Sequence, residues 1–330
     1  MKKKKGPTFS DRSPLLFLCG PTAVGKTEIS LQIAEMFSCE IIGVDSMQVY
    51  RYMDIGTAKP SAEERARIPH YLIDIVDPDE DYTLGTFIRD AEKAIRIICS
   101  HANTPLLAGG TGLYFKGLLN GLFNENNTDP EKQSAKNCQH KTAMKQELQV
   151  RLAKEGGAKL YNELAEVDPE TADRIHPNDT QRILRGLEIY HTTGIPWSLH
   201  LAAQINEGKK HNVLKVGLTR PREELYDRID QRVKLMVQQG LLTEVKKLLD
   251  MDYNSELKSM QSIGYRHMIN YIEGRWDWDK TLELLARDTR RYAKRQFTWF
   301  NKDPEILWFD IKEKDRILQA IGDFLIKNNR

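Results

Sequence analysis

The chain has 330 residues, of which 40% are hydrophobic and 29% charged, and its formal net charge is only +2. Those values are ordinary for a soluble globular protein of one large or two smaller domains, and they leave any nucleic-acid site to local clustering of basic residues. The four cysteines, Cys19, Cys39, Cys99 and Cys138, form no CxxC pair, which argues for a reduced cytosolic protein without structural zinc.

Residues 1–14, MKKKKGPTFSDRSP, are basic but lead only to the short apolar run LLFL. A signal peptide needs a longer run, and a membrane span about 20 apolar residues. The segment reads as a disordered basic tail that can touch RNA electrostatically. Residues 15–19 form a first strand, followed by the loop 20–27 and a helix to about residue 37. Residues 40–44 and 105–108 read as strands, with a helix over 86–100 between them. This alternation implies a parallel sheet covered by helices, with ligands at the C-terminal strand ends. Those ends carry GPTAVGKT, DSMQ and GGTG.

Residues 123–140 are polar and aperiodic, a loop or boundary. From about 141 to 191 the pattern is helical, with a glycine pair suited to a helix C-cap at 156–157. A later helix has Asp179 or Thr180 as its N-cap and Gly194 as its stop. Residues 212–219 return to strand, two amphipathic helices follow, and a strongly basic helix over 281–302 is read as the last before a final strand, ILWFDI. The expected fold class is therefore α/β: a phosphate-loop parallel sheet flanked by helices (15–122 and 206–330), with an all-helical insertion over 123–205.

Three motifs carry chemistry. GPTAVGKT fits the phosphate-loop pattern G-x-x-x-x-G-K-[ST], in which backbone N–H groups ring a phosphate, Lys26 reaches the terminal phosphate and Thr27 holds Mg²⁺. Most such loops hold ATP or GTP, but the pattern alone identifies a phosphate, not its owner. Asp45 follows a strand directly, where an acid can hold Mg²⁺ through water, act as a general base, or simply cap the next helix. Thr57 and Lys59 in DIGTAKP either contact substrate or belong to a packed loop. In AGGTGLYFKGL, Gly109 and Gly110 allow close backbone approach, Thr111 offers a hydroxyl and Lys116 a cation. Arg220 or Arg222 after the returning strand can grip a diphosphate bidentately, unless they are solvated surface. Gln181, Arg182 and Arg185 share one helix of the insertion.

Taken together, GPTAVGKT, DSMQVYRYMDIGTAKP, PHYLIDIVDP, LLAGGTGLYFKGL, HPNDTQRILRGLEIY, IGYR at 263–266 and AKRQFTWF resemble the tRNA dimethylallyltransferases, also called tRNA isopentenyltransferases, in family order over residues 15–300. A lone phosphate loop is nonspecific; DSxQxYxxMDIGTAKP with GGTGLY is not. The resemblance implies transfer of a dimethylallyl group from dimethylallyl diphosphate to the exocyclic amine of adenosine 37 in tRNAs reading codons that start with U, with Mg²⁺ assisting. It implies Asp45 as general base and Thr111 at the reacting centre. It implies a diphosphate cradle of Gly20, Pro21, Thr22, Ala23, Val24, Gly25, Lys26 and Thr27, with Arg222 favoured by family spacing. The residues expected to face the tRNA anticodon stem-loop are Asp45, Ser46, Met47, Gln48 and Thr111; Gln181, Arg182, Ile183, Leu184 and Arg185; Ser262, Ile263, Gly264, Tyr265, Arg266 and His267; and Lys294, Arg295 and Gln296. Tyr265, Trp299 and Phe300 either stack on bases or pack in the core. Lys145 stands where many relatives open the first insertion helix with arginine, the loop 124–140 looks longer than usual, and no Cys/His finger follows, as in the shorter bacterial form. A cytoplasmic monomer without membrane contact suffices. The competing expectations are a small-molecule or nucleotide kinase, which consumes ATP and needs no basic helix, and an RNA-stimulated NTPase, in which Asp45 holds Mg²⁺.

Overall fold

A computed structural model describes residues 13–121, 135–205 and 211–328. The sheet strands are β1 (Pro14–Cys19), β2 (Cys39–Val44), β3 (His70–Tyr71), β4 (Thr104–Gly109), β5 (Asn212–Thr219) and β6 (Leu307–Asp310). They form one parallel six-stranded sheet in the order β3-β2-β4-β1-β5-β6. The first three of the expected strands and both of the later ones are present. The two-residue β3 was missed because it is too short to show a period. Of the expected basic tail, residues 1–12 lie outside the described residues, while Pro14 already pairs with Asn212 in β1–β5.

The chain divides into two compact units, residues 1–119 with 210–330, and residues 120–209. In the first unit, α1 (Lys26–Phe37), α2 (Ala62–Arg67), α3 (Leu84–Ser100) and α4 (Gly112–Asn120) alternate with the strands. The second unit holds α5 (Ala135–Glu155), α6 (Gly157–Val167), α7 (Pro169–Arg174), α8 (Thr180–Thr193) and α9 (Trp197–Ile205). The chain then returns through α10 (Arg222–Gln238), α11 (Leu241–Asp250), α12 (Tyr265–Ile272), α13 (Trp278–Phe300) and α14 (Lys314–Asn328). Two boundaries differ from expectation. Residues 135–140, read as loop, begin α5. The basic helix α13 is not the last, because α14 buries Ile317, Ile321 and Leu325, a spacing of four that marks one helix face.

The sheet core joins Leu16, Leu18, Leu106, Val216 and Leu218 to Ile29 and Ile33 of α1 and to Ile317 and Ile321 of α14. A second core packs Val49, Tyr50 and Met53 against α10 to α13. β2 is buried on both faces, as a covered parallel strand is. The second unit has its own core of Leu148, Leu160, Leu164, Ile183 and Leu187. Inside it Asp168 ends α6 and caps α7, accepting from Thr171 N at 3.1 Å and Ser198 N at 2.9 Å. α8 starts at the Asp179 cap and stops at left-handed Gly194, both as expected.

Candidate active site

The C-terminal edge of the sheet gathers the three motif loops within the first unit. After β1 the chain curls through Ala23 (φ 64°) and Gly25 (φ 111°) into α1. Consecutive turns of this kind aim backbone N–H groups into one concavity. Gly25 brings no capping side chain, so the first-turn amides of α1 face outward for an anion, aided by the helix dipole. Lys26 Nζ lies inside the curl and donates to Gly20 O at 3.0 Å and Pro21 O at 2.9 Å. Burial, and next the nearby Arg232 charge, push Lys26 down to about 8, against the pull of Asp45.

Asp45 sits just past β2 and uses one oxygen, Oδ1, to accept from Met47 N at 2.8 Å and Gln48 N at 3.3 Å. Thr111 lies on the neighbouring strand end, and its Oγ1 accepts from Ser46 N at 3.2 Å. The amides of Gly110 and Thr111 both donate to Val44 O at 3.2 Å. Asp45 and Thr111 are therefore braced by the same short stretch of backbone.

The arginines differ from the expectation. Arg222, favoured for the diphosphate, is exposed at the start of α10, with its guanidinium 5.1 Å from the centre of the Tyr226 ring. Arg220 instead reaches the loop, donating from Nε to Val24 O at 2.8 Å and pairing with Glu224. Arg228 Nε donates to Ala23 O at 3.0 Å. Arg232, which sequence reasoning missed, has its pKa lowered by burial against the pull of the Asp45 charge, and it lies near enough to Lys26 to lower that group in turn. Its signal was present: Arg228 and Arg232 are four apart on the helix after the returning strand, hence on one face. Together with Ala23, Ile55, Ala58, Leu235 and Met236 they line a cleft of about 360 Å³ that mixes cationic and apolar side chains.

DIGTAKP proves to be a packed loop. Thr57 Oγ1 donates to Met53 O at 2.6 Å, and Lys59 Nζ, almost wholly buried, serves Tyr50 O, Asp54 and Asp74. Glu244 of α11 accepts from the amides of Asp54, Ile55 and Gly56 and from Tyr265 Oη at 2.6 Å. Gln48 closes the loop, donating from Nε2 to Thr57 O and Ala58 O. Both side chains are thus engaged within the loop and its neighbours.

A family model described as IPP transferase matches residues 48–303, and a second, described as isopentenyl transferase, matches 14–75. The chain belongs to the IPP transferase family. It is 47% identical over 314 residues to a tRNA dimethylallyltransferase of Desulfotalea psychrophila, covering 95% of this chain and 96% of that one. Among solved structures it resembles the full-length tRNA isopentenylpyrophosphate transferase of Bacillus halodurans, with 37% identity, TM-score 0.68 and coverage of 96% and 98%. It also resembles a eukaryotic dimethylallyltransferase described as acting on tRNA, with 27% identity, TM-score 0.78 and coverage of 96% and 80%.

In this IPP transferase the residues expected to face RNA fall into two groups. Lys294 and Arg295 are exposed on α13, and among the described residues no carboxylate pairs with either. Arg287, Arg291 and Arg266 instead converge on Asp288, and Arg290 pairs with Asp230. Gln296, by contrast, is 6% exposed and points inward. Tyr265 and His267 are fully buried, and Phe300 packs on Phe115 at 5.9 Å, so these are core rather than stacking residues. Burial, then the Arg266 charge, push His267 down to about 4, so it is held neutral. Ser262 is partly buried with its Oγ enclosed, while Trp299 is 38% exposed. Lys116 is exposed on α4.

In the second unit, Lys145, Gln181, Arg182 and Arg185 are exposed, and Leu184 is half-buried. Arg182 pairs with Asp179 and Arg185 with Glu188. Ile183 is 1% exposed and belongs to that unit's core, so it offers no side chain to RNA.

Thr27 is exposed in the first turn of α1, while the described residues hold no cluster of three His, Cys, Asp or Glu suited to a metal. That donor set fits Mg²⁺, which keeps several waters and takes few protein oxygens beside those of a bound phosphate.

Proposed function

We propose that this chain is a tRNA dimethylallyltransferase: it moves the dimethylallyl group of dimethylallyl diphosphate to N6 of adenosine 37 in the anticodon loop of tRNAs reading codons that start with U. The observation that carries the reading is the convergence of a phosphate loop, Lys26 and Arg232 on one side with Asp45 and Thr111 on the other, at a single sheet edge. A phosphoryl-transfer enzyme needs the first half of that edge. A transferase of carbon also needs the second.

The chemistry follows from the charges. The C1–O bond of the allyl diphosphate breaks with its electron pair going to diphosphate, and the N6–C1 bond forms. The allylic carbon tolerates partial cation character, while the growing diphosphate charge meets backbone amides, Lys26 and Arg232. Donors aimed where charge develops lower the barrier rather than merely binding the ground state. The adenine amine is a poor nucleophile, because its lone pair is delocalised. Asp45 takes its proton through the carboxylate oxygen not spent on Met47 N and Gln48 N. Mg²⁺ on Thr27, when bound, supplies further neutralisation of the leaving diphosphate. The cleft beside Arg232, apolar at Ile55, Leu235 and Met236, suits a short prenyl chain on a diphosphate.

Adenosine 37 must leave its stack to reach the edge, at a cost of a few kcal/mol. Exposed Lys294 and Arg295, and Lys145, Gln181, Arg182 and Arg185 of the second unit, are the groups that would hold the RNA. No helix among the described residues is long and apolar enough to cross a membrane. The test is a transfer assay with Mg²⁺, labelled dimethylallyl diphosphate and an anticodon stem-loop, with and without ATP. Label in the RNA without ATP supports the transferase. ATP consumption without transfer would restore the kinase or NTPase reading.

A further inference from the structure

Gln296 stands inside the segment Lys294–Gln296 that resemblance assigns to RNA, yet it faces the opposite way from its two neighbours. Its Oε1 accepts from Thr22 N of the phosphate loop at 2.8 Å, and its Nε2 donates to Gly110 O of the GGTG loop at 3.0 Å. The partners fix the amide's orientation: an N–H must meet the oxygen and a carbonyl the nitrogen. The side chain thus spans the gap between the loop that holds a phosphate and the loop that carries Thr111. The second loop is shaped for it. A Cβ on Gly110 would lie 2.1 Å from Gln296 Nε2, and a Cβ on Gly112 would lie 2.0 Å from Trp299 Cδ1 on the same helix. At Gly110 a Cβ would therefore displace the Gln296 amide, and at Gly112 it would collide with the Trp299 ring, both on α13.

We infer that Gln296 is a positioning residue: its amide sets the spacing between the diphosphate cradle and Thr111, and it makes no contact with RNA. The inference rests on the transferase reading above. Because the reacting carbon is tethered to the diphosphate and the attacking nitrogen lies at Asp45 and Thr111, this spacing fixes the attack distance. A misplacement of about 1 Å can cost on the order of 10²-fold in rate.

Three variants test it beside the wild type. Gln296→Leu removes both bonds. Gln296→Glu keeps an acceptor for Thr22 N at nearly the same volume but sets a carboxylate against Gly110 O. Gly110→Ala displaces the amide from the other side while leaving Gln296 in place. For each, kcat and KM for dimethylallyl diphosphate, binding of inorganic diphosphate by calorimetry and affinity for the stem-loop are measured. The expected result is a fall in kcat/KM for dimethylallyl diphosphate of about 10²-fold for Gln296→Leu. Stem-loop affinity is expected to stay unchanged, and Gly110→Ala with Gln296→Leu to be no worse than the worse single variant, as for two ends of one contact. Should Gln296→Leu fail to fold, the other two carry the same comparison. Loss of stem-loop affinity with unaltered diphosphate binding and KM would overturn the proposal, as would additive effects in the double variant. A wild type that transfers nothing, with diphosphate binding still weakened in the variants, would remove the transferase reading and leave the bridge supported.

Discussion

The loops at residues 54–60 and 109–112 carry the two densest motifs of the chain and are built in opposite ways. The first spends its polar groups on itself and its neighbours: Thr57 on Met53, Lys59 on Tyr50, Asp54 and Asp74, and its amides on Glu244. The second gives up side chains. Its glycines let Gln296 and Trp299 approach, and its one hydroxyl, on Thr111, stands beside the Asp45 turn. Motif density therefore marks constraint, not chemistry. One loop is constrained to be a rigid wall, and the other to bring the Thr111 hydroxyl to the Asp45 turn.

If that division holds, damage to the reacting edge costs turnover and damage to the wall costs stability. The largest effect is expected for Asp45→Asn, which keeps an acceptor for Met47 N and removes the base: kcat falls by roughly 10²–10⁴ with unfolding free energy little changed. Steady-state kinetics beside thermal denaturation check both halves. Weak stem-loop binding by a folded variant would instead make Asp45 a binding residue.

Glu244→Ala attacks the wall. It strips an acceptor from three amides and from Tyr265 Oη, and is expected to cost about 3 kcal/mol of stability, read from denaturant unfolding. A variant that loses turnover at full stability would erase the distinction between the loops.

How much of this was legible follows from the kind of signal each part gives. β1, β2, β4 and β5 were found as apolar runs, and the phosphate loop and Asp45 as motifs placed on strand ends. Periodicity did not separate the two sides of α13, because Gln296 is polar and its burial depends on glycines nearly two hundred residues away. The same applies to Tyr265, buried because Gly56 leaves room: a Cβ there would lie 2.4 Å from the Tyr265 ring. That Arg232 lies buried near Lys26 while Arg222 is exposed follows from where α10 starts and turns, which spacing from a motif cannot supply. Resemblance placed the family correctly and misplaced side-chain direction.

Lys26 gives a smaller, pH-dependent effect. Its folded-state value near 8 lies below the ordinary 10.5, so the folded chain holds fewer protons between those values. Stability from this group rises as pH climbs from about 8 to 10.5. Capture of the diphosphate runs the other way: kcat/KM for dimethylallyl diphosphate is expected to fall above about pH 8 as the ammonium is lost, and a flat profile there would remove Lys26 from the cradle.

The smallest effect belongs to the outer face of α13. Neutralising Lys294 and Arg295 together is expected to leave kcat intact and to reduce the salt slope of stem-loop binding by about 1.4, at roughly 0.7 per single-strand phosphate contact. An unchanged slope would move the RNA off this face.

The strand order has a consequence for how the enzyme is made. β1, which carries the phosphate loop, pairs on one side with β4 and on the other with β5, Leu15 against Val213. During synthesis the β4 edge can close early, but the β5 edge stays open until the whole intervening unit has left the ribosome. For that interval an apolar strand with unpaired amides is exposed, the condition under which nascent chains associate wrongly. The long sequence separation also makes this pairing entropically late, so its closure is expected to set the pace of folding.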